Sequence, residues 1–279
     1  MMLQIGVVIC ANEIDKSILD LLKKEGCSSI SVSFWKSLDK DKYFEVAKLL
    51  ESYDFNVSAV SIFGNTIESD EIKDAWKFLI KENKAMGNPY ITGFAGRVNT
   101  KSVEDSIMPW KAIFTELLDL SYKHDCKGLL LENCRMGDTW KRGKWNIAIN
   151  PSAWSLMFDA LDDEKLGLEW EPYHQILALI DPIKQLKTWA KKVKHVHGKD
   201  AKTDWAKLRR IGLYDKEKAI VDEIPLFGDT DWKDVITVLK ENNYKGSIDI
   251  ETQNATFLSK KDKILKSLHY LNNINSQVF

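Results

Sequence analysis

Acidic and imidazole side chains recur at the ends of four strand-like runs in this chain. Leu168-Glu169-Trp170-Glu171, His195-Val196-His197 and Ile248-Asp249-Ile250-Glu251 alternate polar with apolar residues, and Gly128-Leu129-Leu130-Leu131-Glu132 is apolar until its last position. Successive side chains of a β-strand point to opposite faces. Each alternating run therefore sets its polar residues on one face, with Leu168, Trp170, Val196, Ile248 and Ile250 turned toward packing helices on the other. A face of carboxylates shared by several strands is costly without partners, roughly several kcal/mol per buried group. A cation offsets that cost. With the runs side by side, Glu132, Glu171, His197 and Glu251 converge on one spot. Three carboxylates and one imidazole suit a single divalent ion, manganese or magnesium first and zinc or cobalt next. Such a site fits proton abstraction next to a carbonyl, with the metal stabilising the enediolate and Glu132 and Glu251 acting as acid–base groups on opposite sides.

Holding four such residues together requires strands that end on the same side. Strand-like runs recur at 4–9, 29–34, 56–61, 90–94, 128–132, 167–171, 193–197 and 247–251, with periodic helical patterns between them. Ile18, Leu21 and Leu22 mark one apolar stripe, Phe44, Val46, Ala47, Leu49 and Leu50 the next, and Ile113, Phe114, Leu117 and Leu118 a later one. Asp181-Pro182-Ile183 opens a helix with an N-cap aspartate and a proline at its first position. Eight strands alternating with helices predict an α/β fold, a (β/α)8 TIM barrel in which strand ends carry the site. A doubly wound open sheet competes, but no Gly-x-Gly-x-x-Gly follows the first strand. No linker of proline, glycine and serine divides the chain, so one domain over 1–279 is expected.

The stretch from Gly167 to Asp200 resembles the sugar phosphate isomerase/epimerase group of xylose isomerase-like TIM barrels. The motifs that carry the resemblance are Gly167-Leu168-Glu169-Trp170-Glu171-Pro172-Tyr173-His174, Asp181-Pro182-Ile183 and His195-Val196-His197-Gly198-Lys199-Asp200. Phe94-Ala95-Gly96-Arg97, Glu132-Asn133-Cys134, Asn146 to Trp154, Gly228-Asp229-Thr230-Asp231-Trp232 and Gly246 to Glu251 extend it over most of the chain from Ile91. The resemblance implies divalent-metal ligation by Glu132, Glu171, His197 and Glu251, and a ketose epimerase or aldose–ketose isomerase activity. Glu171 stands where the family usually has aspartate, which adds a methylene of about 1.3–1.5 Å to its reach. Tyr173 and the segment 195–225 also depart from the family's wording. Metal-assisted elimination on a keto-sugar or keto-glycoside is the alternative chemistry, since it begins with the same proton abstraction, and a non-catalytic sugar-binding barrel is a third reading.

Around the four ligand positions, His174, Lys199 and Arg97 are candidate substrate-binding residues, and His195 is expected to hold a neighbouring carboxylate or carbonyl. Trp35, Trp140 and Trp145 fall in loops at the strand ends, where indoles stack on sugar rings. The chain has 279 residues, 44% of them hydrophobic and 29% charged, with a net charge of −1. That balance gives no general attraction to nucleic acid or anionic membrane. Five histidines, of which only His174, His195 and His197 fall near the site, and no net positive charge argue against a multi-metal endonuclease for abasic DNA. No apolar run approaches a membrane span, and Met1 to Ala11 is expected to be a first strand rather than a signal segment. Cys10, Cys27, Cys126 and Cys134 form no Cys-x-x-Cys motif, so a reduced cytoplasmic setting is expected. The expected partner is a small sugar or keto-sugar, and the chain is compatible with a homo-oligomer.

Overall fold

A computed structural model describes residues 2–253 and 256–278. Eight parallel strands close a barrel: β1 (Gln4–Cys10), β2 (Ser29–Trp35), β3 (Asn56–Phe63), β4 (Tyr90–Gly93), β5 (Leu129–Glu132), β6 (Leu166–Trp170), β7 (Val193–Gly198) and β10 (Ser247–Ile250). Each pairs with its neighbours in sequence order around the ring, and β10 closes on β1. All eight expected strands are present, within a residue or two of the expected bounds.

Local chemistry fixes where the surrounding helices start. Asp15, Asp39, Ser69 and Asp231 each accept a hydrogen bond from a backbone N–H in the first turn of α1 (Lys16–Lys24), α2 (Lys40–Glu51), α3 (Asp70–Glu82) and α9 (Trp232–Glu241). Ser102 and Asp105 form a capping box on α4 (Val103–Lys123). α5 (Pro151–Ala160) and α7 (Pro182–Trp189) each begin with proline after an Asn150 or Asp181 cap. α10 (Lys261–Gln277) completes the ring, its Asn275 exchanging two hydrogen bonds with the backbone of Leu3.

The apolar core lies between barrel and helices. Trp76, Trp110, Trp154, Trp170 and Trp232 are fully buried, so half of the ten tryptophans are packing residues. Leu168, Trp170, Val196, Ile248 and Ile250 belong to this layer, as the alternation predicts. The barrel interior, by contrast, is polar: Ser29, Ser31, Ser58, Ser61, Thr92, Glu169, His195 and Asp249 are all buried.

One element is absent from the strand pattern in the sequence. After β7 the chain forms an antiparallel hairpin of β8 (Asp200–Thr203) and β9 (Ile220–Glu223), with α8 (Trp205–Ile211) between the two strands. These strands are four residues long and charged, and no tight-turn dipeptide joins them. A small apolar cluster of Ala201, Leu208, Ala219 and Ile220 packs this insertion onto Tyr173 of α6 (Tyr173–Leu177). Asp200 anchors it, accepting from Thr230 Oγ1 at 2.6 Å and Trp232 Nε1 at 2.8 Å. A side chain at Gly228 would collide with that carboxylate. The Gly228-to-Trp232 motif is thereby tied to the Asp200 that ends the His-x-His-Gly-Lys-Asp motif.

Candidate metal centre

Glu132 ends β5, Glu171 follows β6, His197 lies in β7 and Glu251 follows β10. One ligand atom from each of these four residues lies within 4.8 Å of the other three, and all four residues are buried. His197 Nδ1 is 3.1 Å from both Glu132 Oε1 and Glu251 Oε2. Its Nε2 lies 3.1 Å from Glu169 Oε1, without hydrogen-bond geometry. Glu171 Oε1 is 3.0 Å from His174 Nε2, and Glu171 Oε2 is 3.6 Å from Lys199 Nζ. Neither contact is a hydrogen bond, so both carboxylate oxygens of Glu171 are buried without a partner among the described residues, as is Glu251 Oε2. Buried carboxylate oxygens left in this state fit a divalent cation. The longer side chain of Glu171 still brings its oxygens into the group.

Neighbouring residues hold the carboxylates in place. Asn133 Nδ2 donates to Glu171 O and Asn133 Oδ1 accepts from Glu171 N, both at 2.8 Å, which locks the end of β6 to the end of β5. Asn146 Nδ2 donates at 2.8 Å to the carbonyls of Glu132 and Cys134, and its Oδ1 accepts from Ala95 N. These two asparagines sit in sequence motifs that pointed to the site, yet their clamping roles were not foreseen.

Electrostatics follow from burial and crowding. Burial pushes the Glu171 carboxyl well above the usual range; Lys199 opposes this, while Glu132 and Glu251 add to it. Burial also raises Glu132. For Glu251 burial acts upward, but Lys199 and His197 outweigh it and hold the carboxyl below its usual value. His197 is desolvated, yet Glu169 and Glu251 drive its pKa well above that of a free imidazole. Lys199, also desolvated, is driven up by Glu171 and Glu251. His174 goes the other way, held neutral by burial and by Lys199. Without a cation, then, the cluster balances its charge with protons.

Beneath the cluster, His195 Nδ1 is 2.8 Å from Glu169 Oε1 and its Nε2 is 2.7 Å from Asp249 Oδ2. Ser29 and Ser58 donate to Asp249 from the opposite wall. His195 thus joins two carboxylates, and Glu169 in turn faces His197.

Above the cluster opens a cavity of about 450 Å³. Glu132, Glu251, Lys199 and His174 line its floor, with Trp35, Phe63 and Phe94 on one wall and Tyr173 on another. Three expected substrate contacts are placed elsewhere. Arg97 is fully buried, its guanidinium donating to the carbonyls of Lys101, Thr139 and Trp140 at 2.9, 2.6 and 2.9 Å. It pins two loops and does not reach the cavity. Trp140 donates Nε1 to Glu104 Oε1 at 2.7 Å, outside the cavity wall. Trp145 stands behind Trp35, ring centroids 6.2 Å apart at 30°, so Trp35 alone of the three indoles lines the cavity.

The sequence profile of the xylose isomerase-like TIM barrel matches residues 19–274. The chain belongs to that family. A 100-residue stretch is 29% identical to inosose dehydratase of Clostridium tetani (strain Massachusetts / E88), covering 35% of this chain and 34% of that one. The chain thus spans about a third of the length of the curated relatives it matches. Among solved structures, L-ribulose 3-epimerase superposes with a TM-score of 0.68 at 15% identity, over 96% of this chain and 93% of that one. The IOLI protein with a bound zinc atom superposes with a TM-score of 0.69 at 16% identity, over 98% and 99%. At these identities the likeness is one of fold.

Proposed function

We propose that this protein is a divalent-metal-dependent enzyme that removes a proton next to the carbonyl of a keto-sugar or a cyclic keto-polyol and returns one, as an epimerase or isomerase. The observation that carries this reading is the four-residue cluster, with its buried and unpartnered carboxylate oxygens, at the floor of an aromatic-walled cavity. Glu132, Glu171, His197 and Glu251 would hold the ion, which supplies positive charge to stabilise the enediolate oxygen. Zinc in a structure of the same fold supports a divalent ion here.

The residues divide the remaining work. Glu251 approaches His197 from the adjacent β10 and Glu132 from β5 on the other side of β7, which suits one to take a proton from the substrate carbon and the other to return one. Lys199, 2.9 Å from Glu251 Oε1, holds that carboxyl in the ionised form a base requires. His174, neutral and with its Nδ1 buried without a hydrogen-bond partner among the described residues, offers a hydrogen bond to a substrate oxygen. Trp35 and Phe63 shield one side of the cavity from water.

Elimination is the second reading, favoured by the similarity to an inosose dehydratase. There the same proton leaves the carbon beside the carbonyl, its electron pair forms a C=C bond, and the neighbouring C–O bond breaks. The departing hydroxyl takes a proton, for which Lys199 in the cavity lining would be the donor, and leaves as water.

The test is incubation of metal-loaded protein in heavy water with a panel of ketohexoses and inososes. Deuterium at the carbon beside the carbonyl, with an epimeric or isomeric product, supports the first reading, and both signals should vanish in Glu251→Gln. A dehydrated product supports elimination. Tight sugar binding with no exchange on any substrate would contradict both and leave a non-catalytic binding barrel.

A further inference from the structure

Among the described residues, the side chains of two charged residues of the cavity wall make no hydrogen bond or ion pair. Arg135, in the segment after β5, lines the cavity and has its Nε buried without a hydrogen-bond partner. Asp222, from β9 of the inserted hairpin, lines it from another side. Neither forms an ion pair among the described residues, with one another or with the cluster. A guanidinium presents a planar fork of donors and a carboxylate presents only acceptors, so a ligand satisfying both must accept at one end and donate at the other. Vicinal hydroxyls and a carbonyl do both. An oxyanion can satisfy Arg135 but not Asp222.

The charge of the whole site points the same way. The negative charges of Glu132, Glu171, Glu251 and Asp222 are matched one for one by Lys199, Arg135 and the two positive charges of a divalent ion. A phosphate or carboxylate entering this cavity meets no excess of positive charge to offset its desolvation.

We infer that Arg135 and Asp222 are the specificity-determining residues of the site, and that together they select an uncharged polyhydroxylated ketone over its phosphorylated or carboxylated counterparts. The inference rests on the proposed keto-sugar chemistry and adds the substrate's charge class. Asp222 would accept from a hydroxyl, and Arg135 would donate to oxygens on the part of the substrate away from the reacting carbon. The hairpin insertion, which departs from the family's wording in sequence, supplies one of the two contacts.

The experiment measures binding to the full chain loaded with Mn²⁺ by calorimetry. The probes are D-fructose, scyllo-inosose, D-fructose 6-phosphate and 5-keto-D-gluconate. At least one neutral probe should bind about tenfold or more tightly than both anionic ones. Arg135→Gln and Asp222→Asn should each weaken that binding by about tenfold while leaving Mn²⁺ affinity and melting temperature unchanged, and Arg135→Lys should restore part of the loss. Tighter binding of the phosphate or the acid, or unchanged affinities in both variants, would overturn the assignment, as would failure of both neutral probes to bind. Deuterium exchange on an anionic substrate would overturn this inference while leaving the proposed chemistry intact, whereas loss of Mn²⁺ binding by the wild-type protein would remove the chemistry itself.

Discussion

Two carboxylate–histidine clusters lie one above the other in this barrel, and they are finished differently. In the lower one Glu169, His195 and Asp249 are tied together at 2.7–2.8 Å, with Ser29 and Ser58 completing Asp249; a single oxygen, Glu169 Oε2, lacks a partner. In the upper one Glu132, Glu171, His197 and Glu251 crowd together with both oxygens of Glu171 and one of Glu251 unpartnered. The residue types are nearly the same. The lower cluster completes itself from within the protein, whereas the upper one is complete only with something added. That difference favours the upper cluster over the lower one as the proposed metal site.

Substitutions should break the two clusters in opposite ways. His197→Ala or Glu251→Gln is expected to lower divalent-ion affinity by more than about a hundredfold, beyond the usual cost of losing an outer partner. The same changes should abolish most of the metal-induced rise in melting temperature. Asp249→Ala should do the reverse. It strips one side of a buried ionic network and should cost about 3–5 kcal/mol of stability in urea titrations of the metal-free protein. Folded Asp249→Ala should still bind the ion.

Smaller effects grade the support of the upper cluster. Asn133→Ala frees the backbone of Glu171 and should weaken metal binding by about 10–100-fold with little change in melting temperature. Glu171→Asp should stay within about tenfold of wild type, roughly 1.4 kcal/mol, while Glu171→Gln should exceed that. Equal and silent effects of both Glu171 variants would remove it from the ligand set. All three are read by metal titration.

The pH dependence distinguishes the empty and loaded states. Glu171, His195 and His197 are held above their unfolded values. Such groups contribute stability below their unfolded pKa, about 4.3 for Glu and 6.5 for His, and lose it as pH rises through the folded one. Glu169, held at about 2, and Glu251 contribute the other way and lose their share only in acid, below about pH 4. The metal-free protein should therefore melt lower at pH 8 than at pH 6. A bound ion displaces the protons of Glu171 and His197, so affinity should rise with pH and the metal-induced thermal shift should be larger at pH 8. Melting curves at the two values, with and without Mn²⁺, check both signs.

The barrel and its four converging residues were legible because both rest on strict periodicities. Alternation in β6, β7 and β10 assigns every side chain to one face, and Glu132 stands out at the end of an otherwise apolar β5. The hairpin 200–223 was not legible, since two four-residue charged strands carry no alternation and are held by an Asp200 carboxylate acting across 30 residues. Arg97 and Trp140 illustrate a second limit. Both are near the strand ends in sequence, but an arginine after a strand serves a ligand or a loop equally well, and only the positions of three carbonyls show that it serves loops. Asn133 and Asn146 were visible as motif letters, but their bonds to backbone atoms of other strands are set by the closed barrel.

The proposed chemistry depends on the upper cluster holding a cation through Glu132, Glu171, His197 and Glu251. Titration of the metal-free protein with Mn²⁺, followed by electron paramagnetic resonance of the free ion and compared among wild type, His197→Ala and His195→Gln, tests it most directly. One Mn²⁺ per chain is expected in wild type and in folded His195→Gln, with loss of that binding in His197→Ala. No stoichiometric binding to wild type, or equal binding in wild type and His197→Ala, would contradict it.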